Sequence, residues 1–455
     1  MAKTKTLWSC TECGHSQTKW TGNCTMCSNW NTFVEEVDAP PASRFSAASE
    51  KMAKPMRIKD VENVTFKRMM TGISEFDRLM GGGIVTGSLT LVGGDPGIGK
   101  STLMMQLSSQ LASQGLTVLY ICGEESVEQT SLRAERLGIQ SDHLYLLAET
   151  NFSNIKLHID QLKPDVLIVD SIQIVYKPEI ASAPGSVTQV REMATEFMHV
   201  AKGMNISTFL IGHVTKTGEI AGPRVLEHLV DTVLDFDGDR EHGYRMLRGV
   251  KNRFGPTDDI AVFQMDSKGL KEVTNPSQIF LEERANKTAG SAIIPTIEGS
   301  RAFLVEIQAL VVPCAFSNSS RKSTGLNPNR LSLLLAVLEK RMGFPLHNKD
   351  VFVSVAGGLK ITEPAIDLGI VMAISSSFSN HPVDSKTIVI GEVGLGGEVR
   401  SVPRIENRIK EAINMGFTRC ILPKRNCKGL SKDLLEKISL QGIEYVEEAL
   451  VFKKN

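Results

Sequence analysis

The 455-residue sequence has no excess of either charge, no long apolar run and no dispersed cysteine framework, and each absence removes a class of protein. Its 51 basic residues balance 51 acidic ones, so any contact with nucleic acid has to come from local patches rather than from a generally cationic surface. No stretch approaches the roughly 18 consecutive apolar residues that a membrane-spanning helix needs. The start MAKTKTLWSC lacks the apolar core of a signal peptide. The expectation is a cytoplasmic protein with no membrane partner. No internal repeat of solenoid period is visible. Of the eight cysteines, Cys10, Cys13, Cys24 and Cys27 crowd the N-terminus, which in the cytosol points to a metal ion rather than to disulfides.

What is present divides by composition. The length exceeds one compact core, so several domains are expected. Residues 1–35 read as a short Cys-rich module, and residues 36–56, rich in Ala, Ser, Pro and charge, as a linker. From 57 to 275, strand-like runs such as GSLTLVGG, LTVLYICG, PDVLIVDS and ISTFLIGHV alternate with helical stretches, the signature of parallel βαβ units. Residues 285–455 mix α and β signals, with helices at NRLSLLLAVLEKRMG and RIENRIKEAINMG and strands at DVFVSVAGG and KTIVIGEVG. The fold class is α/β for the core, with an α+β C-terminal domain.

Three patterns carry chemistry. Cys10, Cys13, Cys24 and Cys27 form two C-x-x-C pairs ten residues apart. Each pair forms a knuckle with two thiolates, and two knuckles close a four-sulfur shell around Zn²⁺ that leaves no position for water, so the role is structural. His15 reads as a surface residue. Next, Gly94, Asp95, Pro96, Gly97, Ile98, Gly99, Lys100, Ser101 and Thr102 form G-x-x-x-x-G-K-S/T between a strand and a helix. Such a loop wraps phosphate oxygens with backbone N–H groups, while the lysine reaches the β- and γ-phosphates and the serine ligates Mg²⁺. The strand DVLIVDS ends in Asp170, placed to hold that ion through water. LYICGEES offers Glu124 and Glu125 at a strand end as bases for the attacking water. ATP, Mg²⁺ and Zn²⁺ are thus the implied cofactors. Finally, in LRGVKNRFGPTDDI an extended chain puts Lys251 and Arg253 on one side and Asn252 on the other. That tip is either a solvated strand end before a Gly-Pro turn or a two-pronged cationic group.

TGISEFDRLMGGGIVTGSLTLVGGDPGIGKST, YICGEES, LIVDSIQ, GHVTKTGEIAGPRVLEHLVDTVL and KNRFG, preceded by the four-cysteine module, resemble the bacterial RadA (Sms) DNA-repair ATPases over essentially the whole chain. The resemblance implies a RecA-like P-loop core related to hexameric DnaB-type helicases, with Glu124 in the place of the catalytic glutamate. It implies that Lys251 and Arg253 reach a neighbour's nucleotide, or couple it to DNA. It also implies DNA-touching loops at 171–192 and 214–228, with Lys177, Arg191, Lys216 and Arg224, and a phosphate-sensing position at His213. Single-stranded DNA and branched recombination intermediates are the implied partners, with RecA as another and a homo-hexameric ring as the assembly. The segments GSAIIPTIEGSRAFLVEIQALV, VFVSVAGGLKITEPAIDLGIVMAI and IVIGEVGLGGEVRSVPRIENRIKEAINMGFTRCILP resemble the proteolytic domain of Lon. Aligned on it, Asp367 stands where the nucleophilic serine belongs and Glu406 where the lysine base belongs. A carboxylate replaces neither group, so a scaffold with an added DNA surface is expected, for which Arg321, Lys322, Arg330 and Arg341 are candidates. The rival readings are a Lon-type ATP-dependent protease and a regulatory RecA-like ATPase of the clock-protein type.

Overall fold

The computed structural model describes residues 5–38, 57, 67–212, 226–238, 243–257, 259–282, 284, 288–299, 301–314 and 319–450. They belong to two compact units, Met1–Glu272 and Val273–Asn455. Residues 39–56, most of the expected linker, lie outside the described residues, as do His213, Lys216 and Arg224.

The first unit begins with a small antiparallel sheet of β1 (Lys5–Cys10), β2 (Ser16–Gln17) and β3 (Phe33–Asp38). Next come β4 (Arg68–Met69), α1 (Ser74–Leu79), β5 (Ile84–Val85), β6 (Leu89–Gly94), α2 (Lys100–Ser113), β7 (Val118–Cys122) and α3 (Val127–Arg136). Then follow β8 (Leu144–Leu147), α4 (Phe152–Leu162), β9 (Val166–Asp170), α5 (Val187–Met204), β10 (Ser207–Ile211), β11 (Thr232–Asp237), β12 (Tyr244–Asn252), β13 (Ile260–Asp266) and β14 (Gly269–Glu272). Nine of these strands form one sheet in the order β14-β13-β12-β11-β6-β10-β9-β7-β8. The six from β11 to β8 are parallel, and β12, β13 and β14 extend the sheet antiparallel.

Strands β6, β7 and β10 are buried along their whole length and β9 up to Val169, because helices cover both faces of a parallel sheet. One face packs against α1 and α2 through Phe76, Leu103 and Met104. The other packs against α4 and α5 through Phe152, Ile155, Val190 and Phe197. Asp170 lies beside Cys122 and Ile211 in register, so the loops leaving β6, β7 and β9 open at the same carboxyl end of the sheet. Ligands bind at that edge in open α/β sheets.

The segment 171–192 is not wholly a loop. Ser186 caps α5 by accepting from the Gln189 N–H, and Val187, Val190, Ala194 and Phe197 supply a buried stripe at helical spacing. Arg191 therefore sits on a helix, and Lys177 is engaged by Glu196 at 2.5 Å.

The second unit runs α6 (Pro276–Glu282), β15 (Ser291–Glu298), β16 (Arg301–Pro313), β17 (Arg321–Thr324), α7 (Pro328–Met342), β18 (Lys349–Val355), α8 (Asp367–Ser379) and β19 (Thr387–Val389). It continues with β20 (Glu392–Val393), β21 (Val399–Arg400), α9 (Ile405–Asn414), β22 (Arg419–Pro423), α10 (Lys432–Leu435) and β23 (Ser439–Ile443). Its mixed seven-stranded sheet has the order β17-β18-β16-β15-β19-β22-β23. Asn327 and Pro328 start α7 and left-handed Gly343 ends it, as the cap preferences dictate. No described helix is long and apolar enough to cross a membrane.

Candidate nucleotide site and metal centre

Backbone geometry explains the loop between β6 and α2. Gly94 has φ +138°, and a Cβ there would lie 2.5 Å from the Phe236 carbonyl oxygen on β11, so only glycine fits. Gly99, at φ +119°, turns the chain into α2. Asp95, Pro96 and Gly97 are exposed while Ile98 and Lys100 are buried. The Lys100 ammonium folds back and donates to the carbonyl oxygens of Gly94 at 2.7 Å and Asp95 at 3.0 Å. A phosphate oxygen can take over either bond. Burial pushes the Lys100 pKa down, and Asp170, Asp95, Glu124 and Asp235 pull it back up.

Asp170 accepts from the Tyr120 hydroxyl at 2.6 Å, and the next residue, Ser171, donates to Glu124 at 2.5 Å. Burial and the neighbouring Asp170 raise the Tyr120 pKa well above its usual 10, so the phenol keeps its proton. Glu125 turns away into an ion pair with Arg133 on α3, which separates the two candidate bases by their partners. On the other flank, buried Arg245 of β12 donates from Nε to the Ile98 carbonyl at 3.1 Å. Tyr120 and Arg245 had no sequence signal, because the packing of segments distant in sequence decides what they touch, and Ser171 entered only as the start of an expected DNA-touching loop.

The four cysteine sulfurs lie within 4.8 Å of one another, with Cys10–Cys27 at 3.7 Å and Cys13–Cys24 at 3.6 Å. A tetrahedron with Zn–S bonds of about 2.3 Å has edges of about 3.8 Å, so the shell fits zinc. Each knuckle closes with a backbone bond, Gly14 N–H to Cys10 O and Ser28 N–H to Cys24 O, both 2.8 Å. Against the upward push of burial, the N–H groups of Cys27 and Met26 bring Cys24 down to about 7. His15 stays outside the cluster.

An AAA domain family model matches residues 53–219, and the model for subunit ChlI of Mg-chelatase matches 332–426. The DNA repair protein RadA of Chlamydia pneumoniae is 54% identical over 448 residues, covering 98% of both chains. That of Streptococcus pyogenes serotype M6 is 52% identical, covering 99% of both. The chain belongs to the RadA family of DNA repair proteins. Its P-loop unit is the ATPase core of that family. A KaiC-like protein from Pyrococcus horikoshii covers 46% of this chain and 99% of its own at 19% identity, with a TM-score of 0.39, a likeness too loose to argue from.

In this RadA-family chain the K-x-R pair sits at the other end of the sheet. Asn252 pairs with Thr232, which pairs with Thr90 near the start of β6. Lys251 donates to the carbonyls of Glu227 at 2.6 Å and Val230 at 2.8 Å. Arg253, 55% exposed, pairs with Asp231 at 3.2 Å, and Asp231 also holds Lys202 at 2.5 Å and the Leu89 N–H at 3.0 Å. Arg253 can therefore leave without orphaning that carboxylate. Gly255 packs so closely that a Cβ would lie 2.8 Å from the Gly81 Cα, and Arg68 clamps the Phe254 carbonyl at 2.6 Å. These contacts fix the strand end that presents the arginine.

The positions aligned with the Lon dyad hold ion pairs. Asp367 is fully buried, bonded to the Arg330 guanidinium and to the Val393 N–H at 3.1 Å. Glu406 pairs with Lys410 at 3.6 Å. Arg330 is thus a structural partner rather than a free cation for DNA, and Arg321 is paired with Glu339 at 3.5 Å.

Proposed function

We propose that the protein is a homo-hexameric, ring-forming, ATP-driven motor that moves on single-stranded DNA and drives branch migration of recombination intermediates, with RecA as a further partner. The placement of Arg253 carries this reading. Its guanidinium meets Asp231 beside Leu89, whereas the phosphate loop begins at Gly94. Five strand steps at ~3.3 Å put about 17 Å between them. An arginine so far from its own phosphate loop can meet only a neighbour's nucleotide, and a heterologous contact that closes on itself would give the ring.

In that arrangement the loop N–H groups and Lys100 would hold the β- and γ-phosphates, and the Ser101 hydroxyl, with Asp170 through water, would hold Mg²⁺, which when bound would supply neutralisation of phosphate charge. Glu124 takes the proton of the attacking water, and the neighbouring protomer's Arg253 meets the charge that develops on the transferring phosphoryl group, worth ~10³-fold or more in rate. DNA binding through phosphates weakens as salt rises. The saturated Asp367–Arg330 pair argues against the protease reading, since it offers neither nucleophile nor base.

ATP hydrolysis measured with and without single-stranded DNA, beside casein degradation, tests the reading. DNA stimulation without proteolysis is expected. Absence of stimulation, or ATP-dependent proteolysis lost in Asp367→Ala, would contradict it.

A further inference from the structure

We propose that Tyr120 is a positioning residue for the nucleotide's metal ion: its hydroxyl fixes the rotation of the Asp170 carboxylate, so that the second oxygen is held toward the phosphate loop. The inference rests on the nucleotide-site reading above and assigns a residue that no part of the P-loop pattern marks.

The strand register sets up the contact. Tyr120 lies beside Ile168 and Cys122 beside Asp170 in the parallel pair β7–β9. Side chains two apart share a face, and this face is the one that α2 covers through Leu103 and Met104. The phenol therefore lies along the strand toward the carboxylate, and its oxygen ends 2.6 Å from Asp170 Oδ2. Tyr120 is completely buried, so water does not compete for the bond.

The hydroxyl needs a reason to be there. Tyr120 belongs to the buried apolar cluster that also holds Val118, Val166, Ile168 and Phe209, where phenylalanine would bring no polar atom to satisfy. The group that repays its burial is Asp170, which ends β9 beside Cys122 and Ile211, at the sheet edge where the phosphate loop opens. A carboxylate with one oxygen bonded to a rigid, buried donor cannot spin, so its other oxygen has a fixed aim. Partners behind metal-holding groups act this way, and their loss weakens metal affinity by about 10-fold or more.

Affinity for a fluorescent ATP analogue, titrated with Mg²⁺ in the full-length protein, reads the effect apart from turnover. Tyr120→Phe is expected to raise the Mg²⁺ needed for half-maximal tightening by about 10-fold, with affinity in EDTA unchanged. In an Asp170→Asn background the same substitution should add nothing, because both changes remove one interaction. Tyr120→Met, which also lacks the hydroxyl, should repeat both results and stands in if the Phe variant folds poorly. An equal loss with and without Mg²⁺, or an equal loss in the Asp170→Asn background, means that Tyr120 only packs, and overturns the proposal. Indifference of the unmodified protein to Mg²⁺ would instead sink the nucleotide reading, and the proposal with it.

Discussion

Two buried charges, one in each unit, are held in opposite ways. In the first, Lys100 is held by carbonyl oxygens that a phosphate can replace, and several carboxylates act on it without pairing it. In the second, Asp367 is closed off by Arg330 and a backbone N–H. Likewise Arg408, 1% exposed, is locked onto Glu363 at 2.6 Å and onto the Pro295 carbonyl at 2.7 Å. Charges whose bonds can be exchanged mark a site that works on a ligand, whereas charges with saturated bonds hold a fold together. Removing one partner leaves an uncompensated buried charge in the second case and a lost catalytic step in the first.

The largest expected effect tests the exchangeable side. Glu124→Gln keeps the shape and the contact with Ser171 but removes the base, and should lower turnover by roughly 10²–10⁴-fold with ATP binding intact by fluorescence titration. A variant that hydrolyses ATP at the normal rate would move the base elsewhere. On the saturated side, Arg330→Met leaves Asp367 buried without its cation. Because Arg330 is 33% exposed, the cost should sit near the lower end for buried pairs, about 3 kcal/mol. For a unit of this size that is a fall of roughly 6–12 °C in the midpoint, read by calorimetry. An unchanged midpoint would place Asp367 among exchangeable charges. The smallest effect is predicted for Glu125→Gln, which disturbs only a half-exposed pair with Arg133, and turnover should change by less than about twofold. Loss comparable to that of Glu124→Gln would erase the distinction between the adjacent acids.

How far the sequence revealed this depended on whether the signal was local. The loop Gly94–Thr102, the four cysteines and the buried strands announce themselves, because each needs fixed residue types at fixed spacing. Spacing alone did not rank Glu124 above Glu125, since both follow the same strand. Their separation lies in Ser171 and Arg133, which meet them only after folding. Arg330 looked like a surface cation because nothing nearby in sequence shows that α7 delivers it to Asp367. Tyr120 and Arg245 were illegible for the same reason, since register between strands distant in sequence decides what they touch. Arg191 read as part of a loop because Gly, Ala, Ser and Pro before it masked the Ser186 cap.

The central claim is that each ATP is completed by the next protomer's Arg253. Mixing Lys100→Ala protein with Arg253→Ala protein tests it directly, each being inactive alone in DNA-stimulated hydrolysis. In a ring, some sites then join an intact loop to an intact neighbouring arginine. With equal, random mixing each half occurs with a chance of one half, so roughly a quarter of wild-type activity should return. No recovery on mixing, or full DNA-stimulated turnover by Arg253→Ala alone, would contradict the account.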